Sequence, residues 1–320
     1  MLPSRTTAIA LGVSLGIAAG YSVGPAIASD TDACKTVTFS DVGWTDITAT
    51  TATASVVLEG LGYAPSTEML SVPVTYASLK NKDIDVFLGN WMPTMEADIA
   101  PYREDGSVET LVTNLEGAKY TLAVPRYTYD AGLKTFADIA AFADKLDKKI
   151  YGIEPGNDGN RLILDMIDKG QFGLKDFELV ESSEAGMLSQ VRRAVSSKQD
   201  VVFLGWEPHP MNANIEMAYL DGGDDVFGPN YGGATVLTNT RAGLSADCPN
   251  LGRLLKNMVF SLGMENQIMG KILDDNEDPK MAAGDWLKAN PQALAPWLEG
   301  VETLDGKPGL EAVKAHIGIE

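Results

Sequence analysis

Positive charge is scarce in this 320-residue chain: 25 Lys and Arg stand against 44 Asp and Glu, for a formal net charge of −19. Binding to a phosphate backbone needs a basic footprint, so this balance argues against nucleic acid as a partner. Histidine and cysteine are rarer still, with two of each. His209 and His316 are distant from one another and from Cys34 and Cys248, so no metal-ligand set with clustered spacing is available. The chain has no Gly-x-Ser-x-Gly elbow and no Gly-rich loop ending in Lys-Ser/Thr. Those absences remove common signatures of acyl transfer and nucleotide chemistry. No basic tail, heptad repeat or low-complexity linker is present. The reading is of a protein that is not an enzyme and needs no cofactor.

Long apolar runs are also missing. At the N-terminus, Arg5 supplies a thin positive region, Ala8 to Ala19 is mostly small and apolar, and Ala26-Ile27-Ala28 offers a small-x-small cleavage site. Residues 1–28 therefore read as a signal peptide, with a mature chain starting near Ser29. A transmembrane anchor needs a longer and more apolar span. No Cys stands at the cleavage point, which argues against lipid attachment and for a soluble, periplasmic protein. In that oxidising compartment the simplest reading of Cys34 and Cys248 is one disulfide tying both ends into a single body, with two free buried thiols as the alternative. The mature length is ample for a core and favours two lobes.

What the chain does have is an alternation of strand and helix patterns. Thr36 to Phe39, Val72 to Val74, Asp83 to Leu88 and Tyr120 to Val124 read as strands, and Pro125 ends the ladder of the last. Helical spacing follows the first strand through about Gly60 and returns near Tyr76 to Asn81. Thr135 with Asp138 three positions on predicts an N-cap. Ile150 to Ile153, Phe177 to Val180, Asp200 to Leu204 and Ala234 to Leu237 are further strands, with helices over Arg161 to Asp168 and Ala185 to Ser196. Helices near Asn250 to Leu262, Glu265 to Leu273, Pro279 to Ala289 and Pro291 to Trp297 complete the pattern. Strand, helix, strand implies a parallel sheet with right-handed crossovers.

Two of these strands end alike. Asp85 to Pro93 and Asp200 to Pro208 each run an apolar strand through Gly into Trp and then Pro. In α/β proteins functional side chains collect beyond the carboxyl ends of strands. Two large aromatics with acidic neighbours there suit a cage for an organic cation. The alternative is that each Trp plugs its own local core.

Together with Ser40-Asp41-Val42-Gly43-Trp44-Thr45-Asp46, Gly152 to Asn157 and Gly205 to His209, these runs resemble the periplasmic substrate-binding proteins of quaternary-ammonium importers. That family includes the glycine betaine and proline betaine receptors, and the match is with its choline-binding branch. The resemblance implies a type II periplasmic binding protein fold: two α/β lobes joined by two crossing segments, with ligand held between them. It places residues 29–119 and 227–320 in one lobe and 120–226 in the other. It also implies an aromatic box of Trp44, Trp91, Trp206 and Tyr120, with Asp46 adding Coulomb attraction and Asn157 hydrogen-bonding a ligand hydroxyl. Asp46 otherwise has solvation, and Asn157 a turn cap, as its ordinary fate. The implied ligand is choline, with glycine betaine, proline betaine or another quaternary ammonium as the alternative. The implied partner is the membrane permease of an ABC importer, served by a monomer. Trp286 and Trp297 lie outside the shared motifs and read as packing residues. His209 has no local partner expected of a catalytic base.

Overall fold

A computed structural model describes residues 30–319; the signal peptide expected over 1–28 lies outside the described residues. The strands are β1 (Thr36–Asp41), β2 (Ala64–Met69), β3 (Val86–Met92), β4 (Val108–Pro125), β5 (Lys149–Tyr151), β6 (Glu178–Val180), β7 (Phe203–Glu207), β8 (Met217–Tyr219) and β9 (Gly233–Arg241). Among the described residues they form one nine-stranded sheet in the order β2-β1-β3-β9-β4-β7-β5-β6, with β8 also pairing β4. The outer pairs are parallel, as the strand–helix alternation predicted. The middle pairs are antiparallel.

The long strand β4 divides the sheet. From Val108 to Lys119 it pairs with β9, and from Lys119 to Ala123 it pairs with β7. One continuous strand thus pairs with both halves, and the chain returns from the β7 side to the β3 side between β8 and β9. The expected strand from Tyr120 is only the end of β4. Its earlier part, with Glu109, Glu116 and Gly117, shows no clean alternation, and its ladder to β9 contains bulges. The X-Pro bonds that close the two tryptophan segments, Met92-Pro93 and Glu207-Pro208, are cis.

The longer helices are α1 (Thr45–Gly60), α2 (Val72–Asn81), α3 (Glu96–Glu104), α4 (Asp158–Asp168), α5 (Glu184–Ser196), α6 (Pro249–Asn257), α7 (Leu262–Leu273), α8 (Pro279–Ala289) and α9 (Gly309–Ile317). Helix α1 is buried on nearly every side and packs against α7, α8 and α9. Its threonines tolerate this because Thr50 and Thr53 donate their hydroxyls to the carbonyls of Asp46 and Ala49, one turn back.

Three expectations are corrected. Val72 to Val74 is the first turn of α2, where Pro73 occupies an early position whose N–H has no helical partner. Two strands were missed: the three-residue β8, and β2, a mostly exposed edge strand that accommodates Pro65. The helix expected from Asn250 to Leu262 stops at Asn257, because the Phe260 N–H is bonded to the Asn114 carbonyl of β4. The Thr135 signal holds: a capping box with Asp138 opens a 3₁₀ helix over Phe136–Phe142.

Cys34 and Cys248 form the expected disulfide, with S–S 2.02 Å and 214 residues between them. Beside it, the Asp30 carboxylate accepts the Asn250 and Leu251 N–H groups at the start of α6 and the Tyr63 hydroxyl. A carboxylate at a helix N-terminus satisfies donors the helix cannot. The N-terminal strand is thereby fastened to the C-terminal helices.

Candidate ligand-binding site

The carboxyl ends of β1, β3 and β7 converge on a cavity with about 260 Å³ of empty space, lined by Trp44, Asp46, Trp91, Tyr120, Ile153, Asp158 and Trp206. Trp44 and Asp46 are delivered by the turn from β1 into α1, where Gly43 adopts φ +84°. Trp91 comes from β3, and Tyr120 stands directly opposite Trp206 in the β4–β7 ladder. The Tyr120 ring centroid lies 6.0 Å from that of Trp91 and 6.3 Å from that of Trp206. All four rings are buried, so none is solvated except through the cavity.

Each ring is held by a specific neighbour. The Trp44 Nε1–H donates to Glu154 Oε1 at 2.8 Å, and the Trp91 Nε1–H donates to Asp46 Oδ2 at 3.1 Å. The Tyr120 hydroxyl donates to Asn157 Oδ1 at 2.9 Å. It lies so close to the first turn of α4 that a Cβ on Gly159 would sit 2.1 Å from its oxygen, so only glycine fits there. Trp206 is packed edge-on against the His209 ring at 4.9 Å, and its carbonyl accepts from Asn212 Nδ2.

The remaining wall is acidic. Asp46 is 2% exposed, and burial, with the like charge of Glu184 adding to it, pushes its carboxyl up to about 8. Burial likewise pushes Asp158 up to about 7. Asp158 Oδ1 accepts from Asn157 Nδ2 at 3.1 Å and the Thr94 hydroxyl lies beside the carboxylate, while Oδ2 is buried without a well-formed hydrogen bond. Behind Asp46, burial holds Glu265 well above the usual carboxylate range, and Asp46 pushes it further. No Lys or Arg lines the cavity. Unpaired buried carboxylates are costly, and a cation in the cavity offsets that cost.

Five of the six residues expected to bind ligand therefore line one cavity. Asn157 stands behind the wall: its Oδ1 accepts from Tyr120 and from the Asn160 N–H, and its Nδ2 reaches Asp158. It caps α4, the ordinary role considered for it, and braces two lining residues as well. Sequence reasoning missed Asp158, Ile153, Glu154 and Glu184. Asp158 had a signal, since it follows Asn157 in the same polar turn. Glu184 had none. His209 has a partner that its local sequence could not show: Glu184 Oε1 lies 3.1 Å from its Nε2 across 25 residues of sequence. Trp297 and Trp286 are packing residues away from the cavity, bonded to the Val259 carbonyl and to Gln267.

A buried box of aromatic rings and carboxylates between two α/β halves defines a receptor for a small organic cation. A family model for the substrate binding domain of ABC-type glycine betaine transport systems matches residues 35–289, and the chain belongs to that family. It is a family of transport receptors with the two-lobed α/β fold, not a class of enzymes. The chain is 69% identical to an ABC-transporter choline binding protein solved in complex with choline, over 90% of this chain and 100% of that one, with TM-score 0.89. The same identity and coverage hold for an ABC-transporter choline binding protein in an unliganded semi-closed conformation, with TM-score 0.83. A shorter match, 33% identical over 41% of this chain and 42% of the relative, is to the glycine betaine/carnitine transport binding protein GbuC of Listeria monocytogenes serotype 1/2a (strain 10403S).

Proposed function

We propose that this chain is the periplasmic receptor of an ABC importer for choline. The supporting observation is the cavity itself: four buried aromatic rings and two buried carboxylates, with no basic side chain among the lining residues. A trimethylammonium group has no N–H to donate, so a ring of acceptors gives it no ordinary hydrogen bonds. Ring faces suit its diffuse charge, each contributing roughly 0.5–2 kcal/mol, and they also remove its methyl surface from water.

In this reading Trp44, Trp91, Tyr120 and Trp206 are the box. Asp46 supplies the counter-charge, and Asp158 Oδ2 accepts the choline hydroxyl proton. Asn157 acts through Tyr120 and Asp158. A glycine betaine carboxylate would meet two carboxylates and no cation, which disfavours it. The lobes are 29–119 with 227–320 and 120–226, so Trp44, Asp46 and Trp91 come from one and Trp206 and Asp158 from the other. Ligand bound between them favours the closed form, and that form is the one delivered to the permease. Every wall comes from one chain, so a monomer suffices.

The test is calorimetric competition on the mature protein between choline and glycine betaine under matched conditions. Choline should bind tighter. The reverse order would sink the choline assignment and leave a betaine receptor.

A further inference from the structure

Helix α1 carries two of the cavity's walls, yet its N-cap residue is Trp44, whose side chain makes no capping hydrogen bond. The first N–H groups of a helix need partners from elsewhere. Here the partner comes from the opposite half of the molecule. Glu184, first residue of α5, accepts the Thr45 N–H at Oε2, 2.9 Å away, and the Thr45 hydroxyl at Oε1, 2.5 Å away.

The same carboxylate also reaches the second lobe's tryptophan strand. His209 Nδ1 accepts the Met211 N–H at 2.9 Å, which leaves the ring proton on Nε2 to donate to Glu184 Oε1 at 3.1 Å. The His209 ring packs on Trp206. One buried carboxylate therefore joins the turn bearing Trp44 and Asp46 to the turn bearing Trp206. It does not line the cavity itself.

We infer that Glu184 is a positioning residue for ligand capture: it caps α1 from the other lobe and so completes the box only when the lobes meet. When the lobes part, α1 loses its cap and Glu184 returns to water, so the ordered position of Trp44 and Asp46 becomes a property of the closed form. This inference rests on the lobe closure proposed above. It adds a residue that no ligand need touch.

The experiment compares wild type, Glu184→Gln and Thr45→Val by choline calorimetry, dissociation kinetics, thermal melting and amide hydrogen exchange at Thr45 to Thr48. An amide in place of the carboxylate keeps the volume but sets an N–H against one of the Thr45 donors. Hydrogen bonds to a charged group contribute about 1.5–3 kcal/mol, so Glu184→Gln should weaken choline binding about tenfold to a hundredfold, chiefly through faster dissociation. Thr45→Val, which keeps the backbone donor, should lose less. Melting of the unliganded Glu184→Gln protein should be unchanged, since Glu184 is solvated when the lobes are apart. Exchange at Thr45 in the liganded variant should be faster than in wild type. Affinity within about twofold of wild type in both variants, or a loss that merely tracks a lower melting temperature, overturns the inference. Wild type that prefers glycine betaine fails the choline reading only, and the same ratios are then measured with that ligand. If wild type binds neither ligand, the receptor reading and the capture role of Glu184 fall together, whereas Thr45 exchange that is equal in liganded wild type and liganded Glu184→Gln overturns the inference alone.

Discussion

Trp91 and Trp206 end two segments that look alike in sequence, and both side chains are buried against the same cavity. Their fixings differ. The Trp91 indole donates to Asp46, a carboxylate that itself lines the cavity, so ring and counter-charge form one unit. Trp206 has no such indole bond among the described residues; its place is set by the Tyr120 and His209 rings and by Asn212 at its carbonyl. The difference teaches that equivalent strand ends can supply the same kind of wall by different means. On one side electrostatics and orientation are coupled, and on the other packing alone orients the ring.

The largest effect should come from truncating either ring. Trp91→Ala and Trp206→Ala should each reduce choline binding by about 2–4 kcal/mol with the melting transition retained, as read by calorimetry. A variant that folds normally and keeps wild-type affinity would remove that ring from the box. Next, Asp46→Asn should weaken choline by about 1.5–3 kcal/mol and narrow the margin over glycine betaine. If it improved discrimination, Asp46 would not be the counter-charge.

Subtler substitutions separate the two sides. Trp91→Phe leaves a buried Asp46 oxygen without its donor and should lower affinity by about 1–3 kcal/mol. Trp206→Phe keeps a ring face and should cost under about 1 kcal/mol. Equal losses would erase the distinction between a bonded and a packed ring.

The smallest effect is on pH dependence. With the lobes together, burial pushes the carboxyls of Asp46 and Asp158 up to about 8 and about 7, and a bound cation favours their ionised forms, so capture of choline by the closed form should strengthen from pH 6 to 8 with proton release. Calorimetry in buffers of different ionisation enthalpy measures the protons. Asp46 faces Glu184 and Glu265, while Asp158 faces Asp98 and Arg161. The stability of the closed form without ligand has the opposite sign. Carboxyls whose folded values exceed the unfolded ones stabilise fully below about pH 4, and that contribution is lost as pH rises through 7 to 8. The closed form without ligand should therefore lose stability over the same interval in which binding tightens. Asp46→Asn should flatten the upper part of both profiles, and Asp158→Asn the lower part.

Much of this was written along the chain. Apolar runs of β-branched residues marked most strands, Thr135 with Asp138 marked a cap, and the two Trp-containing strand ends marked two rings of the box, while Trp44 and Tyr120 came only with the family resemblance. What escaped had weak or misleading local signals. β2 is exposed and contains a proline, Val72-Pro73-Val74 has strand-like residues in a helix start, and the first part of β4 is irregular because its ladder to β9 is bulged. Asp158 looked like one more polar residue in a turn, although its burial makes it a wall of the cavity.

The primary sequence determined the alternation of elements, the acidic balance, the residues available for a disulfide and the types of side chain in the box, because periodicity and composition are local properties. Tertiary structure alone decided that a carboxylate from α5 would cap α1, that Asn157 would stand behind the wall while Asp158 lines it, and that Asp46 and Asp158 would titrate near neutrality. Burial and the approach of charges from distant segments set those features, and neither quantity exists until the chain has folded.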